Sequence, residues 1–314
     1  MVENAAKLPE IIIICGPTAS GKSGLAVRLA EKIGGEIISA DSMQIYRKFS
    51  IGTAKPTAEE VQRVPHHLVD FVGPADSFSV KDYERAALSA IAGVKSRGKM
   101  PILCGGTGFY VESVLYPMTY GGTGEGGASV VVREKYKKLA ESEGNDVVYR
   151  ILQKIDPVSA EKLHPNDLVR VIRALEIYET TGKRKSEQHD ERVSRFSYAA
   201  FMPDFPREKL YDRINRRVDE MFAAGWEEEV KMLMKEGVSP SSQAMTAIGY
   251  REIVADLLNF GSLHSTTPDI IKQNTRNYAK RQVTFFKRLP DLVHLDAELG
   301  AESMAEEICR RLGL

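Results

Sequence analysis

The sequence predicts an α/β protein: a parallel sheet with helices on both faces, interrupted by a helical insertion. Three observations predict it. Short apolar, β-branched runs alternate with segments of helical periodicity. A glycine-rich loop follows the first such run at once and opens a helix. From about residue 117 to 195 the chain turns helical and strongly charged, with no strand candidate inside.

Taken in order, residues 10–15 (EIIIIC) are continuously apolar, as a strand buried on both faces must be. Ser23 to Ile33 follows as a helix, with Leu25, Leu29 and Ile33 recurring every four residues. Glu36 to Ser39 is a second strand that ends just before Asp41. Ser79 to Arg97 is a long helix, with Ser79 as N-cap and Asp82 completing a capping box. Met100 to Cys104 is a third strand, closed by Gly105-Gly106-Thr107-Gly108. Residues 121–127 (GGTGEGG) hold five glycines in seven, a mobile stretch or a special turn. Pro157 and Pro165 punctuate the charged helices after it. Arg195 to Met202 reads as a strand, then helices run to about residue 289. Leu292 to Leu295 is a last short strand before a closing helix. The division expected is a core of residues 1–116 and 196–314, with 117–195 as the insertion.

Composition narrows the class. The 314 residues are 43% hydrophobic and 27% charged, ordinary for a globular chain and unlike a disordered, collagen-like or membrane-spanning one. Basic and acidic residues number 43 each, so the whole molecule is not a polycation, though a local basic strip remains open. Cys15, Cys104 and Cys309 share no C-x-x-C spacing and read as reduced thiols of a cytoplasmic protein. Ile11 to Cys15 is too short to cross a bilayer, and no signal segment is visible. With no interface signature, a monomer is expected.

Gly16-Pro17-Thr18-Ala19-Ser20-Gly21-Lys22-Ser23 fits G-x-x-x-x-G-K-[ST] between a buried strand and a helix. The glycines let backbone N–H groups curl around phosphate oxygens, and the helix N-terminus adds partial positive charge. Lys22 supplies a point charge, and the Ser23 hydroxyl is placed to ligate Mg²⁺. Such a loop says polyphosphate, not reaction. A kinase would transfer the γ-phosphoryl; another enzyme would hold pyrophosphate as a leaving group. Asp41, at the carboxyl end of the second strand, is a candidate general base or magnesium neighbour, or simply a helix N-cap. Thr107 is a candidate phosphate ligand or a tight-turn cap.

Two helices carry arginines worth placing. From Arg207 to about Ala224, Leu210, Ile214, Val218 and Met221 share a stripe, with Arg217 at its edge, Arg213 nearby and Arg216 pointing away. An inward arginine has an anion or an internal salt bridge to meet. From 272 to 288 there are six basic residues and no acidic ones. Arg276, Lys280, Arg281, Lys287 and Arg288 share one arc, with Tyr278, Val283, Phe285, Phe286 and Leu289 opposite. Asn166 to Thr180 repeats the pattern on a smaller scale, with Arg170 and Arg173 turned away from an apolar stripe. Both faces suit a phosphate backbone, or are solvated helix faces.

Together these motifs resemble the bacterial tRNA dimethylallyltransferases, also called tRNA isopentenyltransferases. The matching pieces are GPTASGKS (16–23), DSMQIYR with IGTAKP (41–56), VPHHLVD (64–70), GGTGFY (105–110) and NDLVRVIRALEIYETTGK (166–183). RINRRVDEMFAAGWEEEV (213–230), AIGYRE (247–252) and AKRQVTFFKR (279–288) extend them over nearly the whole chain. The resemblance implies a P-loop NTPase-like core with a helical insertion. It implies dimethylallyl transfer from dimethylallyl diphosphate to N6 of the adenosine directly 3′ of the anticodon, in tRNAs reading codons that begin with U. The adenine would be flipped out of the anticodon loop into a channel that the isoprenoid enters from the other end.

By the same resemblance Gly16, Thr18, Ala19, Ser20, Gly21, Lys22 and Ser23 hold the diphosphate, with Mg²⁺ at Ser23. Asp41, Thr107 and Arg217 are catalytic, Asp41 as the base. The tRNA contacts fall on Asp41, Ser42, Met43 and Gln44; on Asn166, Asp167, Leu168, Val169 and Arg170; and on Lys280, Arg281, Gln282, Thr284 and Lys287. The segment PMTYGGTGEGG (117–127) departs from the family pattern, so no isoprenoid-channel residue is carried over there. No Cys/His zinc-finger extension follows the core, and His66-His67, which invites a metal reading, reads within VPHHLVD as a structural and phosphate-side loop. The rivals are a P-loop small-molecule or nucleoside kinase, a free-adenylate isopentenyltransferase, and a non-catalytic RNA-binding protein.

Overall fold

A computed structural model of the chain describes residues 8–120, 128–188 and 192–314. The glycine-rich 121–127 stretch lies outside the described residues. The chain packs as two compact units: one of residues up to Leu115 with Arg195–Leu314, the other Tyr116–Ser194.

The first unit is built on six parallel strands in the order β3-β2-β4-β1-β5-β6. These are β1 Ile11–Cys15, β2 Glu36–Ser39, β3 His66–His67, β4 Pro101–Gly105, β5 Tyr198–Asp204 and β6 Val293–Asp296. β1 lies between β4 and β5 and all five of its residues are fully buried, which is why its sequence is apolar without alternation. Helix α1 (Lys22–Ile33) packs with the C-terminal α13 (Gly300–Leu312) over the face carrying Ile12, Ile14, Ile37 and Ile102. On the other face, α3 (Val80–Ser96) and α4 (Gly108–Leu115) meet through stacked Tyr83 and Tyr110, with centroids 3.7 Å apart. The Tyr83 hydroxyl donates to the Ser39 carbonyl at 2.9 Å, tying α3 to β2.

The capping box forms as expected: Ser79 Oγ accepts the Asp82 N–H, and the Asp82 carboxylate accepts the Ser79 N–H. Three elements differ from the sequence reading. His66–His67 is not a loop but a two-residue strand paired with Ile37 and Ile38, too short to show a period. A short helix α2 (Ala58–Arg63) precedes it, capped by Thr57. β5 starts at Tyr198 rather than Arg195, because the Arg195 N–H and guanidinium are engaged by the carbonyls of Leu115 and Ser113. A second apolar cluster joins residues 45–49 to α9 (Arg207–Ala223), α10 (Trp226–Lys235), α11 (Tyr250–Phe260) and α12 (Thr267–Phe286).

Among its described residues the second unit holds helices and no strand: α5 (Ala128–Glu143), α6 (Asn145–Ile155), α7 (Pro157–Ala160) and α8 (Leu168–Thr181). Its own core gathers Tyr136, Val148, Leu152, Val171, Ile172 and Leu175.

Candidate active site

The phosphate loop must turn between Cys15, the end of β1, and Lys22, the start of α1. Gly21 takes φ 86° to do so. Ala19 also turns left-handed, φ 61°, which costs an L-residue about 1–2 kcal/mol. Contacts from distant elements hold the turn. Arg213 Nε donates to the Ala19 carbonyl at 2.8 Å while its guanidinium stacks 4.6 Å from the Phe205 ring. The Thr18 N–H donates to Gln282 Oε1 at 2.9 Å, and Gln282 Nε2 donates to the Gly106 carbonyl at 2.8 Å. A Cβ on Gly106 would lie 2.2 Å from that nitrogen, so only glycine lets the amide in. One buried side chain of α12 thus staples the phosphate loop to the turn after β4.

Lys22 is half-buried, its Nζ 3.1 Å from the Pro17 carbonyl. Burial lowers its pKa; Cys104 and Asp41 oppose that shift and Arg217 adds to it. Arg217 is likewise lowered by burial, with Asp41 opposing. It makes no hydrogen bond or ion pair with any described residue, so the internal salt bridge left open by the sequence is not there. Two cations therefore flank one carboxylate. Asp41 Oδ1 accepts the N–H groups of Met43 at 2.9 Å and Gln44 at 3.3 Å. Asp41 Oδ2 is left without a hydrogen bond among the described residues. The Ser20 hydroxyl, 1% exposed, also has no partner among them.

Thr107 faces the neighbouring loop. Its Oγ1 accepts the Ser42 N–H at 3.0 Å and lies 3.2 Å from Ser42 Oγ. Tyr278 of α12 lies beside Thr107 and Gln282; burial, with Asp41 nearby, pushes its phenol up to about 12. These contacts bring the loops after β2 and β4 together with α12.

A cavity of about 340 Å³ opens over this edge. Thr18, Lys22, Asp41, Arg217 and Arg281 supply the polar part of its lining. Ile214, Val218, Met221, Trp226, Ile248 and Tyr250 supply the apolar part. A smaller adjoining cavity is lined by Lys22, Ser23, Asp41, Gln44 and His66, among others. A hydroxyl and a carboxylate there are hard oxygen donors, the kind Mg²⁺ accepts alongside phosphate oxygens and water.

The sequence reading missed the residue that shapes one wall. Glu229 is 7% exposed and accepts the N–H groups of Ser50 at 2.9 Å and Ile51 at 2.8 Å, and the Tyr250 hydroxyl at 2.6 Å. The loop it holds leads to Thr53 and Ala54, whose carbonyls accept Gln44 Nε2 at 3.3 and 3.0 Å. A signal was present: Glu229 shares a buried stripe with Trp226, Val230 and Leu233, where a carboxylate is out of place unless it has partners.

The expected tRNA-facing residues divide. Lys280, Arg281 and Thr284 are exposed on α12, as are Lys287 and Arg288 just beyond it. Gln282 is not among them; it is 5% exposed with its amide engaged as the staple. Arg276 is half-buried and bonded to Asn215 and Gln273 rather than free on the surface. Ser42, Met43 and Gln44 are half-buried beside the cavity. In the helical unit, Asn166, Val169 and Arg170 are exposed, Asp167 pairs with Arg170 at 3.3 Å, and Leu168 joins the apolar core. Arg173 is not a free surface cation. It pairs with buried Glu176 at 2.5 Å, because the i,i+3 spacing brings the two together.

The parallel sheet, its phosphate loop and the cavity beside it define a P-loop α/β enzyme. Comparison with known proteins gives the family. A family model described as IPP transferase matches residues 44–289. A tRNA dimethylallyltransferase of Pelobacter propionicus is 46% identical over 292 residues, covering 92% of this chain and 93% of its own. Another, from Geobacter sulfurreducens, is 44% identical over 309 residues, 97% of each chain. Among solved structures, the tRNA isopentenylpyrophosphate transferase of Bacillus halodurans superposes with TM-score 0.69 at 38% identity, covering 96% of both chains. A eukaryotic dimethylallyltransferase acting on tRNA gives TM-score 0.78 at 30% identity, covering 95% of this chain and 77% of that one. The chain belongs to the tRNA dimethylallyltransferase (IPP transferase) family.

Proposed function

We propose that the protein transfers a dimethylallyl group from dimethylallyl diphosphate to N6 of the adenosine 3′-adjacent to the anticodon, in tRNAs reading codons that begin with U. Diphosphate is released. The observation that carries this reading is Arg217, a cation lining the cavity with Asp41 and Lys22 that makes no hydrogen bond or direct ion pair among the described residues. It is where a departing polyanion gains most. The family match does not favour the kinase reading.

The chemistry follows from the residues. An exocyclic aromatic amine is a weak nucleophile, and a base that takes its proton helps. Asp41 offers Oδ2 for that proton while Oδ1 stays fixed by two N–H groups. The N6–carbon bond forms as the carbon–oxygen bond to diphosphate breaks. The phosphate-loop N–H groups, Lys22 and Arg217 stabilise the charge left on diphosphate. Ser23 would hold Mg²⁺, which when bound neutralises part of the same charge. Thr107 acts through Ser42, holding the Asp41 loop in place. The apolar wall of Val218, Met221 and Trp226 excludes water from a carbon with cationic character. The exposed cations of α12 attract the RNA backbone. No helix of the described residues is long and apolar enough to cross a membrane. The reading takes the protein as a cytoplasmic monomer.

The test is incubation with Mg²⁺, labelled dimethylallyl diphosphate and unmodified tRNA, with AMP and labelled ATP in parallel. Label is expected in tRNA alone. Label in AMP, or phosphoryl transfer from ATP, would overturn the assignment. Asp41→Ala should cut single-turnover transfer by on the order of 10²–10⁴-fold, the range for a lost general base, with little change in tRNA affinity. Unchanged turnover would remove Asp41 as the base.

A further inference from the structure

We infer that Phe109 is a stacking platform for an unpaired RNA base, the immediate neighbour of the adenosine that enters the cavity. The inference rests on the tRNA reading above and adds a specific subsite to it.

Phe109 sits in the first turn of α4, directly after the glycine turn that follows β4. The next two residues, Tyr110 and Val111, are buried, yet Phe109 is 56% exposed. A lone exposed apolar residue needs no explanation, but this one is part of a row. Its ring lies 5.2 Å from Phe285, nearly edge to face. Gly108 permits the approach, since a Cβ there would lie 2.2 Å from Phe285 Cδ1. Phe285 is one helical turn beyond Arg281 on α12. The Arg281 guanidinium lies 5.7 Å from the Tyr278 ring, and both residues line the cavity. Tyr278, Arg281, Phe285 and Phe109 therefore lead from the reaction cavity to the surface.

The surroundings select the occupant. Lys280, Lys287 and Arg288 are exposed on the same helix end, without ion pairs among the described residues. Exposed π-faces beside free cations are how single-stranded nucleic acid is held. An acidic peptide would use the charges and leave the ring idle. There is also an energetic reason for a platform here. A base drawn out of its stack leaves its neighbours with an uncovered face, at a cost of a few kcal/mol. A ring at the cavity mouth restores one of those faces.

The experiment measures binding of a fluorescein-labelled anticodon stem-loop RNA at several salt concentrations. Three RNAs are used: intact, abasic 5′ of the target adenosine, and abasic 3′ of it. Phe109→Ala should weaken binding of the intact RNA by roughly 5- to 150-fold, the equivalent of ~1–3 kcal/mol for one base stack. The salt slope should stay the same, because no phosphate contact is lost. Phe109→Trp should restore affinity. One of the two abasic RNAs should bind wild type weakly, and Phe109→Ala should weaken it no further. Binding by Phe109→Ala within twofold of wild type would overturn the inference, as would an equal loss on all three RNAs. A lowered melting temperature with that equal loss would assign Phe109 a structural role instead. Wild-type protein that neither binds nor modifies the intact RNA would overturn the transferase reading and this inference with it. Wild type that modifies it, beside a Phe109→Ala variant that binds equally well, would overturn only the inference.

Discussion

Each unit of the molecule buries a carboxylate, and the two are stabilised in opposite ways. Glu176 of the helical unit is fully buried and meets Arg133 at 2.7 Å, Arg173 at 2.5 Å and the Ser129 hydroxyl. Burial alone would raise its pKa, but Arg133, Ser129 and Arg173 outweigh burial and lower it. Glu229 of the sheet unit meets no cation among the described residues; its partners are the backbone N–H groups of Ser50, Ile51 and Gly52 and one phenol. Glu176 and its partners lie on α5 and α8, so they fix how two helices pack. Glu229 fixes the path of a backbone segment. That segment borders the cavity at Gly52 and Thr53 and, through Gln44, leans on the loop of Asp41. One carboxylate therefore serves packing, and the other serves the geometry of the reaction.

The largest expected effect is on the packing side. Glu176→Ala removes the buried anion shared by two partly exposed guanidinium groups, which water can then reach, and should cost about 2–3 kcal/mol of stability, read by urea melts. Replacing Glu176, Arg133 and Arg173 together by apolar residues of similar size should cost far less. Transfer by the folded fraction of Glu176→Ala should stay within about threefold of wild type. Glu229→Ala should behave the other way, with kcat falling on the order of 10²-fold as the Asp41 loop shifts. Glu229→Gln, which keeps one acceptor oxygen, should lie between. If Glu229→Ala lowered only the melting temperature and left kcat intact, the distinction between the two carboxylates would collapse. Gln282→Ala removes a neutral staple and should act more weakly. A loss of about 1 kcal/mol, seen mainly as a several-fold rise in KM for the diphosphate substrate, is expected from two buried hydrogen bonds partly replaced by water.

What was legible in the sequence was what neighbours decide. The phosphate loop, the buried β1 strand and the Ser79–Asp82 capping box each depend on residues within a few positions of one another. Helical geometry placed Arg217 inward correctly, because periodicity gives direction. It did not give partners. Arg173 and Arg276 are on outward arcs yet are engaged, by Glu176 and by Asn215. Gln282 sits among exposed tRNA-facing candidates but reaches Thr18, 264 residues away. Glu229 meets Ser50 across 179 residues. Such contacts belong to the fold as a whole, and no local pattern carries them. The two-residue β3 escaped for the same reason, since only its pairing with β2 makes it a strand.

The smallest effect asks whether the guanidinium mode survives where the arginine is half-exposed. Glu36 of β2 is 6% exposed, and Arg97 bonds its carboxylate at 2.6 and 3.1 Å while His67 approaches at 2.7 Å. Arg97's hydrogen bonds, opposed by burial and helped by His67, hold the Glu36 carboxyl at about 2. An unfolded glutamate titrates near ~4.3. Because the folded value is the lower one, the stabilisation is fully present above ~4.3 and is lost as the pH falls through about 2. Arg97 itself is half-exposed, so solvent screening keeps the contribution of the pair small. Arg97→Ala should therefore lower the urea midpoint by a constant amount from about pH 5 to 7. The gap to wild type should then narrow steadily below about pH 4 as Glu36 of the unfolded chain takes up its proton. A gap that widened with acid would mean that Arg97 stabilises the sheet through some group other than Glu36.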